Sequence, residues 1–183
     1  MTEPTGAHPP NGGPSVPTLV RQRVEHLGVV GSEWLQTLPR LVAEIEVSWT
    51  IRVGQAVPGG SAAFVAPVVT SRGEPATLKI AVPGSGFDEQ VTVLEDAHGR
   101  GYVRLIAHDV TRQAMLLERL GPRMDHVGLT AEDQIRALCE TLQQAWQLRP
   151  REPVTEEDAR FKSQSLQEMV ERLAGTLEHS CSD

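Results

Sequence analysis

Lys79 is the residue whose type and setting point most directly to chemistry. It stands in the alternating run Ala76-Thr77-Leu78-Lys79-Ile80, where a period of two puts Thr77 and Lys79 on one strand face. A strand-borne ammonium is a compact cation suited to phosphate oxygens or a carboxylate, although a lone strand lysine is usually a solvated edge residue. Two carboxylates follow on a stretch of helical spacing. Glu89 lies near its start and Glu95 beyond its middle, and Glu89 is the preferred partner for the lysine. Glu89 also suits the positive end of a helix dipole. Upstream, Pro58-Gly59-Gly60-Ser61 joins two apolar runs; its small residues let a backbone approach phosphate oxygens, and they make an ordinary hairpin turn as well. Downstream, Leu116-Leu117-Glu118-Arg119-Leu120 runs into Gly121-Pro122, the exit from a strand. Cation, carboxylate and glycine turn together suggest a site that handles phosphate.

The elements that must position these residues are read from periodicity and punctuation. Residues 1–17 are rich in proline and glycine and read as a disordered tail, and residues 18–49 as helices. Within 18–49, Ser32 is expected to cap a short turn carrying Trp34, Leu35 and Leu38, and Pro39 to open a new helix. From residue 50 the period changes. Ile51 and Val53, then Phe64 to Val69, then Leu78, Ile80 and Val82 read as three strands, with Ser71-Arg72-Gly73-Glu74 as a hairpin turn. Phe87, Val91, Leu94 and His98 return to helical spacing and stop at Gly99-Arg100-Gly101. Tyr102 to Ile106, a turn at His108-Asp109, and Ala114 to Leu117 read as a second hairpin. Beyond it, Thr130-x-x-Asp133 is a capping box before Ile135, Leu138, Leu142 and Trp146, and Thr155-x-x-Asp158 opens a further helix with Leu166 to Leu177 on one face. This order argues for an α+β fold.

Composition sets the outer bounds. The 183 residues carry 17 basic and 24 acidic side chains, a net charge of −7, which gives no electrostatic reason to bind nucleic acid or an anionic membrane. Aromatics are only 4 %, so the core must be mainly aliphatic. There is no apolar run long enough to span a bilayer and no basic-then-apolar leader at the N-terminus, so a cytoplasmic setting is expected, with Cys139 and Cys181 reduced. Cys139, on an apolar helical face, is expected to be a buried thiol.

Three strands, one helix and two further strands is the order of a protein-kinase-like N-terminal lobe. The sequence resembles the aminoglycoside and hydroxyurea antibiotic-resistance kinase family in Trp34-Leu35 to Leu38-Pro39, Pro58-Gly59-Gly60-Ser61, Val65-Ala66-Pro67-Val68 and Leu78-Lys79-Ile80. It does so most specifically in Gly99-Arg100-Gly101-Tyr102-Val103-Arg104-Leu105-Ile106-Ala107-His108-Asp109 followed by Leu116-Leu117-Glu118-Arg119-Leu120. The resemblance covers roughly residues 30 to 180. It implies a five-stranded antiparallel sheet plus helix over 50–121, preceded by the helices of 18–49 and followed, over 122–183, by the hinge exit and the first helices of an incomplete C-lobe. It implies transfer of the γ-phosphoryl group of ATP to a hydroxyl of a small molecule, such as an aminoglycoside or hydroxyurea. Lys79 would hold phosphates with Glu89 fixing it, Gly59, Gly60 and Ser61 would cover them, and Leu117, Glu118 and Leu120 would form the adenine hinge.

The family's His-Gly-Asp catalytic loop, with its following Asn and later metal-binding Asp, has no counterpart among the 183 residues. Mg²⁺ is therefore implied by the resemblance while its ligands are not in the sequence. The expectation is a chain truncated before the catalytic loop, binding nucleotide without turnover. A second expectation, of a different class, is a non-catalytic remnant kept as an interaction protein, self-associating through the uncovered faces of Leu138–Trp146 and Leu166–Leu177. The plainest reading is a soluble α+β domain unrelated to kinases.

Overall fold

The computed structural model describes residues 15–149 together with 160, 163, 164 and 167. Residues up to Leu148 belong to one compact unit and Arg149–Asp183 to a second. The readings that begin at Thr155 and at Leu166–Leu177 lie outside the described residues.

Five strands build one antiparallel sheet in the order β1-β2-β3-β5-β4. They are β1 (Ile51–Val53), β2 (Ala63–Thr70), β3 (Pro75–Ala81), β4 (Leu105–Asp109) and β5 (Ala114–Glu118). Alternation divides the sheet's residues between two faces. Phe64, Ala66 and Val68 pair with Ile80, Leu78 and Ala76, and this set packs with Leu116 against two N-terminal helices, α1 (Thr18–His26) and α2 (Gly28–Trp49). The opposite face carries Ala81, Met115 and Leu117, covered by Phe87, Val91 and Leu94 of α3 (Phe87–Ala97). The sheet thus has a helical layer on each side, and Phe64, Leu78, Ile80 and Met115 are wholly buried.

The N-terminal helices depart from expectation at two points. Ser32 is interior to α2, where its hydroxyl donates to the Gly28 carbonyl at 3.1 Å, and α2 runs unbroken through Pro39. Pro39 removes one helical hydrogen bond, but Trp34, Leu38, Val42 and Ile45 form one buried stripe across it, and that burial outweighs the loss. The α1–α2 junction closes tightly, because a side chain at Gly31 would meet the Val24 carbonyl oxygen at 2.0 Å.

The second hairpin is also displaced. His108 and Asp109 are the last residues of β4, not its turn, which is Val110–Gln113. The Asp109 carboxylate accepts from the Arg112 amide at 2.9 Å and its guanidinium at 2.7 Å, which fixes the turn one step later. Downstream, α4 (Ala131–Ala145) starts at the Thr130 cap, whose hydroxyl accepts from the Asp133 amide at 3.2 Å. No residue of α4 is buried, and Cys139, expected to be a buried thiol, is exposed. Among the described residues no helix is long and apolar enough to cross a membrane.

Candidate active site

Lys79 occupies the sheet face covered by α3, between Val65 of β2 and Met115 of β5. Thr77, two residues earlier, lies level with Pro67 and Leu117. Val65, Pro67 and Thr77 are half-buried and Met115 is fully buried, so the ammonium stands on an apolar floor. Burial pushes its pKa below the ordinary lysine value, and no carboxylate opposes that shift. A desolvated cation of this kind is the more attractive to an anion, because little water competes for it.

The lysine's partner differs from the expected one. Lys79 Nζ donates to Oε1 of Gln90, and Gln90 Nε2 donates to the Ser85 carbonyl at 2.5 Å. Glu89 does not take this place, because its carboxylate turns back toward Gly86 at the start of α3. Glu95 lies 3.8 Å from His108 of β4. Helical phase is the reason. Gln90 is three residues after Phe87 and four before Leu94, so it shares their sheet-facing stripe, whereas residue 89 falls outside it. That same phase was the available signal: position 90 is the polar position within an otherwise apolar stripe.

The remaining residues are arranged along the sheet. The segment between β1 and β2 first follows the β2 edge, with the Gly54 amide donating to Pro67 and that of Val57 to Val65, both at 2.8 Å. It then opens into Gly59, Gly60 and Ser61, all exposed, where added side chains on the glycines would meet nothing. This loop enters β2 at Ala63, level with Ala81, while β5 ends at Glu118, level with Ala76. Glycine loop and strand exit therefore flank Lys79 from opposite ends, five residues or about 17 Å apart along β3. The Glu118 carboxylate accepts from the Arg104 amide at 2.7 Å, so its side chain is engaged within the fold, and Leu120 is 63 % exposed. The far end of β3 is fixed from behind by the buried Trp34, whose indole N–H donates to the Ala81 carbonyl at 2.9 Å.

These residues fit a nucleotide's chemistry, with a half-buried ammonium, a small-residue loop at one end and the strand exit at the other, where the Glu118 amide donates to the Arg104 carbonyl at 3.0 Å. They do not fit a resident metal. Among the described residues no three His, Cys, Asp or Glu side chains come together in a way that could hold an ion.

Similarity to known proteins bears on this arrangement. Over 93 residues the chain is 38 % identical to a streptomycin 6-kinase of Streptomyces glaucescens, covering 51 % of this chain and 30 % of that one. It is 37 % identical over 93 residues, again 51 % and 30 %, to a streptomycin 6-kinase of Streptomyces griseus. It is 36 % identical over 115 residues to a hydroxyurea phosphotransferase of Kitasatospora aureofaciens, covering 63 % of this chain and 34 % of that one. The matched regions thus span about a third of the length of these curated relatives. The family model of the aminoglycoside/hydroxyurea antibiotic resistance kinase matches residues 48–178, which take in the sheet, Lys79, α3 and the strand exit, and the chain belongs to that kinase family.

Proposed function

We propose that this chain forms the nucleotide-binding part of an ATP-dependent phosphotransferase that phosphorylates a hydroxyl of a small molecule, with an aminoglycoside such as streptomycin or hydroxyurea as the acceptor class. The observation that carries the reading is Lys79, a half-buried ammonium on the sheet face beneath α3. In this reading Lys79 takes the triphosphate, Gly59, Gly60 and Ser61 close over it, and the backbone at Leu117, Glu118 and Leu120 meets the adenine edge. Phosphoryl transfer is mostly positioning and charge neutralisation, so holding the nucleotide is a separable part of the task. A base for the acceptor hydroxyl and ligands for Mg²⁺ are the other parts, and among the described residues no three His, Cys, Asp or Glu side chains come together to hold an ion.

Calorimetry of ATP binding to the 183-residue polypeptide tests the reading. ATP is expected to bind without transfer to streptomycin or hydroxyurea, and Lys79→Met is expected to weaken binding by about tenfold or more, the range for losing a charge-assisted contact. ATP affinity that ignores the substitution would reject the site. Transfer by the polypeptide alone would show that the residues of catalysis lie within it.

A non-catalytic interaction role has its own supporting observation. Ile135, Leu138, Leu142 and Trp146 of α4 and its end are 61, 53, 46 and 77 % exposed, forming an apolar stripe at helical spacing.

A further inference from the structure

We propose that Gln90 is the positioning residue for Lys79, a neutral clamp that holds the ammonium in place and leaves its positive charge undivided for an anionic ligand. The ligand in this statement rests on the phosphate-binding reading above, while the clamp itself does not.

The orientation of the Gln90 amide follows from its partners. The Ser85 carbonyl oxygen can only accept, so it must face the amide nitrogen, which it meets at 2.5 Å. The amide oxygen is then left to Lys79, whose ammonium can only donate. Ser85 is itself held, its amide donating to the Val82 carbonyl at 3.2 Å, one residue beyond the end of β3. The chain Lys79–Gln90–Ser85–Val82 thus closes a loop between β3 and the start of α3. Each link is a hydrogen bond with one possible direction of donation.

Charged groups around the clamp are committed elsewhere or stand apart. On α3, Glu89 turns to Gly86, Asp88 is exposed, and Glu95 lies beside His108 of β4. The flanking strand positions are Val65 on β2 and Met115 on β5, neither of which titrates. A glutamate at position 90 would share the ammonium's charge, whereas glutamine supplies only a dipole and orients the amine without neutralising it. The burial that lowers the lysine's pKa is consistent with a neutral partner.

The sequence makes the clamp measurable, because Lys79 and Lys162 are the only lysines in it. Incorporated ¹³C-lysine gives two side-chain resonances, and Lys79→Arg assigns them. In the unsubstituted protein the Gln90 side-chain amide resonance is expected to move as Lys79 titrates, and that amide to change in Lys79→Met. In Gln90→Glu the Lys79 titration midpoint is expected to rise by about one pH unit, a tenfold gain in proton affinity. ATP should then bind several-fold more weakly and with less dependence on salt. In Gln90→Leu the lysine resonance should broaden and ATP affinity fall, with the amide spectrum otherwise that of the folded protein. A role confined to stability would lower the melting temperature of these variants while leaving the lysine titration where it was. A Lys79 titration indifferent to Gln90→Glu, or a Gln90 amide indifferent to Lys79 in the unsubstituted protein, would overturn the proposal. A titration that moves in a protein binding neither ATP nor inorganic triphosphate would leave the clamp standing and remove the nucleotide reading.

Discussion

Lys79 is costly where it stands. Burial lowers its pKa in the folded protein below that in the unfolded chain, so over the interval between the two values the unfolded chain binds more protons. Stability therefore rises as pH climbs through that interval, and the charged lysine is a burden at neutral pH. Lys79→Met is expected to keep or raise the melting temperature while weakening ATP binding; a drop of several degrees would mean that the charge supports the fold. Glu89→Gln, by contrast, is expected to leave ATP affinity within about twofold of the parent, since a carboxylate turned toward Gly86 contributes chiefly to the start of the helix. A larger loss in the same titration would return Glu89 to the lysine. Lys79 was legible in the sequence because strand alternation singles out a lysine flanked by Leu78 and Ile80. Its partner was misread because a cation invites a search for carboxylates. Helical phase, which selects position 90, carries no charge signal.

Among the elements, the strands were the easiest to read. Pro58-Gly59-Gly60 and Ser71-Arg72-Gly73-Glu74 mark their ends, and period-2 alternation marks their faces. The unbroken α2 was not legible, because Pro39 and Ser32 are local stop and start signals, while the stripe that overrides them gains its stability from a sheet far away in sequence. The displaced β4 has a similar cause, an Asp109–Arg112 contact that no window of propensity contains. Helix α4 meets the rest of its unit closely at Gly101. A side chain there would stand 2.5 Å from the Ala145 amide nitrogen and 2.8 Å from the Thr141 carbonyl, on a backbone with φ of +71°. Gly101→Ala is expected to loosen α4 while sparing the sheet. Hydrogen exchange should quicken at amides within 131–145 and stay unchanged in β2, β3 and β5. Uniform acceleration would place Gly101 in the global unfolding unit instead.

At the scale of the molecule, one polar cluster joins the N-terminal helices to the second hairpin. Arg112 Nε donates to Glu44 at 3.1 Å and its Nη1 to Asp109 at 2.7 Å, while Arg40 meets the other Glu44 oxygen at 2.5 Å. The Arg112 hydrogen bond holds the Glu44 carboxyl below its usual range, against a smaller opposing effect of burial and with help from Arg40. At Asp109 burial raises the value, and the bonds from the Arg112 amide and guanidinium and the Thr111 amide outweigh it. Both folded values lie below the unfolded ones, so the stabilisation is present above the carboxylate range and lost as pH falls through it. Denaturant midpoints are expected to hold level down to about pH 5 and to fall below about pH 4, with the acid limb shallower in Arg112→Ala. An unchanged limb in that variant would assign acid sensitivity to other carboxylates. The exposed α4 stripe makes the remaining prediction. Leu138→Glu with Leu142→Glu is expected to abolish concentration-dependent association in sedimentation while leaving the melting temperature of the sheet unit in place. A parent protein that sediments as a monomer at every concentration would speak against an interaction role for that face.

The indole of Trp34 has an optical consequence. It is 7 % exposed and hydrogen-bonded to the carbonyl of Ala81, two residues from Lys79, whereas Trp146 is 77 % exposed. A collisional quencher such as iodide therefore darkens Trp146 first and leaves the emission of Trp34 together with that of the partly buried Trp49, so that in Trp49→Phe the surviving emission belongs to a natural fluorophore fastened to the end of the strand that carries the lysine. Light absorbed by that otherwise unlabelled protein can thus report on the end of β3, from the sheet face opposite Lys79.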